Sequence, residues 1–511
     1  GTFVGTEENG VASWLGIPYA KPPVGERRFK APEYVDESDR VFEAKYYGKS
    51  AYTTASYSDV IQKLASEDCL YLNIWANADD KTEKKPVMVW IHGGAYSVGS
   101  GSQFSYNGAN LVQAQSDIIL VNMNYRLNMY GFMDFSSVPG GEAFESASCN
   151  GLLDQAMALR WVHENIAAFG GDPDNVTVFG QSAGGGSVSI LSVMKEANQY
   201  FQKIIAQSGS VYAAMPVGCE TAQSRTKALL EYTGCKTMDD IMALTEEELH
   251  EAYVNAVNKF MSSPYYGNEV LPEAPIELYK KGYAKDISIM AGSTADEARL
   301  FMGEGPELSL EEQKIFAQHS VGEALHYLKE EDKKSYEEFQ RVCRLQEPGL
   351  IETEFLSEVI FRVALLQQLD VQSAFNKTFF YYWSYPGSNP DIGAAHSVEL
   401  IFVFNLRGVG TTGAFNGTNV PDEIFTAVQQ MWTNFARCGD PSTDQIEWKA
   451  YSAGDQNVLV IAGPGDIHIE QGILADQYKA VAPLVDYYQF MDKYFTPCYL
   501  LDIVAAREQN S

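Results

Sequence analysis

Apolar residues fall into two rhythms along this chain. Residues 85–91 form a short unbroken run, Lys-Pro-Val-Met-Val-Trp-Ile, that ends in His92-Gly93-Gly94, and residues 116–121 form a second. Runs of this length, bounded by turn residues, predict strands buried on both faces. Residues 152–169 place apolar positions at helical spacing instead, and Gly170-Gly171-Asp172-Pro173 ends them. Residues 175–179 return to a strand, and a glycine-rich turn leads into a helix over 187–194. Strand, helix, strand, helix in that order predicts a largely parallel sheet covered on both faces. Core strands are expected again at 284–291 and 378–383. The tail, 456–462 and 470–500, adds a strand and helices. Helical patterns dominate 217–286 and 302–375, as at 226–232 and 311–316. These stretches are expected to be insertions over one end of the sheet, within a single domain spanning 1–511.

Composition narrows the function classes. The chain carries 37 Lys+Arg against 67 Asp+Glu, a net charge of −30. Such a charge repels a phosphate backbone or an anionic membrane, so nucleic acid is not expected as a partner. No stretch reaches the ~20 consecutive apolar residues of a membrane span. The 7 cysteines are scattered, with no metal-binding spacing. Reduced, buried thiols are the expectation, although Cys219 and Cys235 could close a short loop. With no charged-then-apolar leader at Gly1-Thr2-Phe3-Val4-Gly5, a cytoplasmic location is expected over a secreted one.

Candidate chemistry begins at Gly180-Gln181-Ser182-Ala183-Gly184. A G-x-S-x-G alone is weak, but this one follows a strand and opens a helix. That is the setting in which a sharp turn lifts a serine above a sheet edge. A serine hydroxyl needs a base. His396, in the small-residue loop Gly393-Ala394-Ala395-His396-Ser397, can hold an imidazole over the sheet edge; His468 competes with it. His163 is expected on an exposed helix face, His250 in solvent, and His92 as a brace for the glycine loop. Asp296-Glu297 follows a predicted strand and can supply the acid. An acidic pair at a helix start is equally consistent. His92-Gly93-Gly94-Ala95-Tyr96 exposes backbone N–H groups that, with Ala183, can stabilise an oxyanion.

Longer blocks carry a resemblance. Asn150-Gly-Leu-Leu-Asp-Gln-Ala156, Phe169-Gly-Gly-Asp-Pro173, Asn175-Val-Thr-Val-Phe-Gly-Gln-Ser-Ala-Gly184, Glu67-Asp68-Cys69-Leu70-Tyr71-Leu72-Asn73 and His396-Ser-Val-Glu-Leu400 resemble the type-B carboxylesterase/lipase family. The blocks span nearly the whole chain. The resemblance implies an α/β-hydrolase fold and a serine hydrolase acting on a small carboxylic ester, without metal or cofactor. It implies a Ser182–Glu297–His396 triad, oxyanion donors at Gly94, Ala95 and Ala183, and supporting roles for Ser208 and Gln181. A monomer or weak homo-oligomer is expected. Gln181 stands where cholinesterases carry Glu, and the loop before Cys69 lacks Trp and a second Cys, so a bacterial-type carboxylesterase fits better. Amide, thioester or lactone cleavage, and a non-catalytic interaction role, remain as alternatives. The aromatics Phe260, Tyr265, Tyr266, Phe379, Tyr381 and Trp383 are candidates for a pocket lining or for core.

Overall fold

The computed structural model describes residues 1–36, 39–53, 64–79, 84–302, 310–326, 329–386, 393–407 and 420–485. An eleven-stranded sheet organises them. Its strands are β1 (Thr6–Glu8), β2 (Val11–Pro18), β3 (Tyr71–Asn77), β4 (Lys85–Ile91), β5 (Ile119–Met123), β6 (Gly171–Gln181), β7 (Lys203–Gln207), β8 (Ser288–Thr294), β9 (Thr378–Trp383), β10 (Asn457–Gly463) and β11 (Asp466–Gln471). The order is β11-β10-β9-β8-β7-β6-β4-β5-β3-β2-β1. Strands β4 to β10 pair in parallel, and antiparallel pairs close both edges. The sheet is therefore mixed, with the expected parallel block at its centre.

The unbroken apolar runs account for that centre. Val87 to Ile91 of β4 are wholly buried, as are all six residues of β9. Each large apolar side chain removed from water contributes ~1.5–3 kcal/mol. Phe379, Tyr381 and Trp383 thus belong to the core; Tyr265 is buried too, while Phe260 and Tyr266 are half-buried.

Helices cover both faces. Those that bear on the site are α1 (Asn150–Asn165), α2 (Ala183–Leu191), α3 (Glu220–Thr233), α4 (Leu350–Ser357) and α5 (Val363–Gln372), the last two joined by a π-helical stretch, Glu358–Arg362. α1 stops where expected: a short 3-10 turn, Ile166–Phe169, ends at Gly170 with φ +88°. Several boundaries shift, the strand expected at 175–179 running over Gly171–Gln181. The strand expected at 116–121 is β5, the one expected at 284–291 is β8, and the helix expected from 187 begins at Ala183. The helical pattern at 311–316 extends over Leu310–His326, and the tail supplies Ala475–Val485; residues 303–309, 327–328 and 486–511 of these stretches, with Cys498, lie outside the described residues. Among the described cysteines, Cys69 and Cys235 are free thiols, so the Cys219–Cys235 loop is not closed.

Candidate active site

Parallel register gathers the candidate residues at one end of the sheet. Ile91 of β4 lies beside Gly180, Gln181 of β6 beside Gln207, Gln207 of β7 beside Gly292, and Thr294 of β8 beside Trp383. The residues that follow these carboxyl ends are His92, Ser182, Ser208 and Glu297. Such ends are where open α/β sheets bind ligands.

Ser182 caps the turn from β6 into α2 with φ 59° and ψ −125°. Backbone this unusual costs of order 1–3 kcal/mol and persists only where neighbours enforce it. Here Ser182 N–H donates to Gln207 O at 2.8 Å, and Gly186 N–H to Ser182 O at 2.9 Å. The glycines are required by contact: a Cβ on Gly184 would sit 2.1 Å from Ile91 O, and one on Gly180 2.5 Å from the Gly184 backbone.

The candidate acid and base meet because their loops pair. Asp296 N–H donates to Ala394 O at 2.9 Å, forming a parallel bridge between Asp296 and Ala395, and Ala394 N–H returns to Asp296 Oδ2 at 2.9 Å. One residue on, Glu297 Oε2 accepts from His396 Nδ1 at 2.5 Å. Glu297 Oε1 accepts from Ser208 Oγ at 2.6 Å and from Thr294 N–H at 2.7 Å. The Asp296-Glu297 pair is thereby divided. Glu297 orients the imidazole, and Asp296 ties the two loops, with Arg299 and Arg344 on its Oδ1 at 3.2 and 3.3 Å. With Nδ1 donating to Glu297, Nε2 is the acceptor, and Gln181 Nε2 donates to it at 2.8 Å. Ser182 Oγ makes no hydrogen bond to His396 among the described residues; the Gln181 amide holds that position.

The glycine loop packs against the turn: a Cβ on Gly93 would lie 2.5 Å from Gln181 O and 2.9 Å from Ser182 Cβ. Gly94, Ala95 and Tyr96 all have positive φ (111°, 51° and 56°). Ser97 and Val98 N–H close onto Gly94 O. The backbone N–H groups of Gly94, Ala95 and Ala183 have no acceptor among the described residues. His92 braces the loop as expected, its Nδ1 2.8 Å from Gly93 O, and burial pushes its pKa down to about 4.

The other histidines separate clearly from His396. His468 is exposed on β11 between Asp466 and Glu470. His163 and His250 depart from expectation, both being half-buried, against Tyr200 and Tyr52 respectively. Helix-face arguments place them outward, but long aromatic side chains from neighbouring elements cover them.

Sequence reasoning missed three groups. Phe301 and Phe361 flank the His396 ring at 5.0 and 4.7 Å between centroids. Arg362 is fully buried behind the acid's turn, donating to Thr294 O at 2.8 Å, Ala295 O at 3.0 Å and Ser293 Oγ at 3.2 Å, paired with Glu358 and stacked over Tyr382 at 4.8 Å. Burial pushes Glu358 up to about 7 despite that partner. Glu399 lies beneath the site. Its Oε1 accepts from Gln207 Nε2 at 2.8 Å, its Oε2 is unpartnered, and burial followed by repulsion from Glu297 raises it to about 7. Its place in His396-Ser-Val-Glu-Leu was visible in the sequence; its burial was not.

The described residues contain no helix long and apolar enough to cross a membrane and no cluster of three metal-ligating side chains. Comparison with known proteins agrees with the geometry. The pattern defining the carboxylesterase family fits residues 1–480. A para-nitrobenzyl esterase of Bacillus subtilis is 36% identical over 94% of this chain and 97% of its own length. A mouse cholinesterase is 31% identical over 88% of this chain and 79% of its own. A solved Geobacillus stearothermophilus carboxylesterase superimposes with a TM-score of 0.80 at 34% identity, covering 94% of this chain and 98% of that one. A fold, a strained serine turn and a family pattern that coincide over nearly the full length leave one assignment: the chain belongs to the carboxylesterase family.

Proposed function

We propose that Ser182 is the nucleophile of this carboxylic-ester hydrolase, His396 its base and Glu297 the group that orients the base. The observation that carries the reading is the Glu297–His396 pair, seated by paired loops beside a serine held in a strained turn. His396 Nε2 exchanges the Gln181 amide for Ser182 Oγ when an ester is bound; catalytic hydrogen bonds commonly tighten only in that complex. The base takes the hydroxyl proton as Oγ attacks the ester carbonyl. The oxyanion rests on the N–H groups of Gly94, Ala95 and Ala183, where each donor is worth roughly 2.7–4 kcal/mol in the transition state. His396 then protonates the leaving alcohol, and water repeats the sequence on the acyl-enzyme. Glu297 orients the ring through Nδ1 and stabilises the imidazolium.

Ser208 supports the acid by direct hydrogen bonding, and Gln181 holds the resting imidazole in place. A small-molecule ester is the substrate, and the charge of −30 supports the exclusion of nucleic acid. Ser182→Ala is expected to lower kcat for p-nitrophenyl acetate by ~10³-fold or more. Turnover retained in that variant overturns the assignment.

A further inference from the structure

α3 buries one stripe, formed by Thr221, Ala222, Arg225, Thr226 and Leu229. Arg225 is 1% exposed. Its one hydrogen bond is long, Nη1 to the Tyr265 hydroxyl at 3.4 Å, and its Nε and Nη2 have no partner. The chain holds 67 Asp and Glu, yet none among the described residues pairs with this cation. A guanidinium cannot shed its proton in a protein, and it presents a planar fork of donors matched to a carboxylate. Burying it without an anion is strongly unfavourable.

On one side, Arg225 acts electrostatically on the buried Tyr253, whose hydroxyl has no hydrogen-bond partner among the described residues. On the other side, Tyr265 pairs with Met215 just beyond Val211–Ala213, and the Ala213 Cβ lies against Gly186 of α2. Tyr265 and the 211–216 segment thereby connect the unpaired cation to the helix that Ser182 opens.

We propose that Arg225, with the hydroxyls of Tyr253 and Tyr265, is an anion subsite, and that the preferred esters carry a carboxylate. The proposal rests on the reading of Ser182 as nucleophile. The carboxylate pairs with the guanidinium fork and accepts from the tyrosines. It belongs either to the acyl part, as in a monoester of a dicarboxylic acid, or to the leaving alcohol. The long-range field of the acidic chain opposes the approach of such a substrate, and salt screens that field more than it screens the buried pair.

The test compares two ester pairs at about 0.5 M salt, where the field is screened. p-Nitrophenyl hydrogen glutarate is set against its neutral methyl glutarate analogue, and para-acetoxybenzoate against its methyl ester. The wild-type protein is expected to prefer the charged member of one pair by about tenfold or more in kcat/KM, mainly through KM. The pair in which this occurs identifies the acyl or the alcohol side. Arg225→Met removes the preference, and Arg225→Lys retains part of it. A readout independent of catalysis uses Ser182→Ala protein: glutarate or para-acetoxybenzoate raises its Tm, and the gain disappears when Arg225→Met is added. No preference in either pair, or a preference that survives Arg225→Met, overturns the subsite. Should Arg225→Met not fold, Arg225→Lys and the Tm gain in Ser182→Ala decide. Failure of the wild type to cleave all four esters overturns the hydrolase reading instead, and a Tm gain lost with Arg225 then still supports the anion site.

Discussion

Arg362 and Arg225 occupy equivalent positions in a physical sense. Both are long cations on helical segments, at 0% and 1% exposure. Their surroundings differ completely. Arg362 has a carboxylate, two carbonyls, a hydroxyl and an aromatic face, and it holds the carbonyls of the turn that presents Glu297. Arg225 has one long hydrogen bond to a tyrosine. The first arrangement is what a structural buried charge needs, because its desolvation is offset by close partners. The second leaves the offset to something outside the chain. Burial alone therefore says little about a charged residue's task; the completeness of its partners separates a brace from a binding group.

Stability separates the two most sharply. Arg362→Met strands Glu358 and frees the carbonyls of Thr294 and Ala295, so a loss of ~3–5 kcal/mol is expected in denaturant unfolding. Arg225→Met strands no anion and is expected to stay within ~1 kcal/mol of wild type or to gain. Equal losses would break the comparison. Next in size is Asp296→Ala, which removes the tie between the loops of Glu297 and His396. A kcat loss of ~10–100-fold with little change in KM is expected, since misplacing a catalytic group by a fraction of an ångström costs rate. Asp296→Asn, which keeps an acceptor for Ala394 N–H, should recover part of it.

Glu399 extends the contrast to carboxylates. Its folded pKa of about 7 lies above the ordinary 4.5, so between these values the folded protein keeps a proton that the unfolded chain releases. Its effect on stability is most favourable below pH 4.5 and declines as pH rises to 7. Glu399→Gln should flatten that decline, by up to ~3 kcal/mol across the window, in unfolding measured at several pH values. The smallest effect is expected at His468, whose pKa is raised by the carboxylates of Glu470 and Asp466. The stabilisation is present below its ordinary value and lost as pH rises through the folded one. Because the clip is exposed, His468→Gln should cost no more than ~0.5 kcal/mol, and esterase activity should persist.

The same physics explains what could be read from the residues alone. β4 and β9 are unbroken apolar runs, and their bounds were legible because burial on both faces leaves no other pattern. The helix after Ser182 reads as starting late because Gly184, Gly185 and Gly186 are poor helix formers, retained there for close approach to Ile91, Gln207 and Tyr96. Residue spacing alone left Asp296 and Glu297 indistinguishable. Their division depends on a bridge to Ala395, a contact between segments ~100 residues apart that no local pattern encodes. The choice of His396 over His468 has the same origin. Arg225 did leave a trace, since it shares a helical stripe with Ala222, Thr226 and Leu229. An arginine in such a stripe ordinarily reaches back to water, and only the packing of Tyr253 and Tyr265 shows that this one does not.

The central claim is that the sheet register and the paired loops make Ser182 a live nucleophile served by His396 and Glu297. Labelling with a fluorophosphonate, followed by intact-mass and peptide mapping, tests it directly. One adduct per chain is expected, on Ser182, absent in Ser182→Ala and formed much more slowly in His396→Ala and Glu297→Gln, each with folded protein confirmed by its unfolding curve. An adduct on another residue, or equal labelling rates in wild type and His396→Ala, would contradict the account.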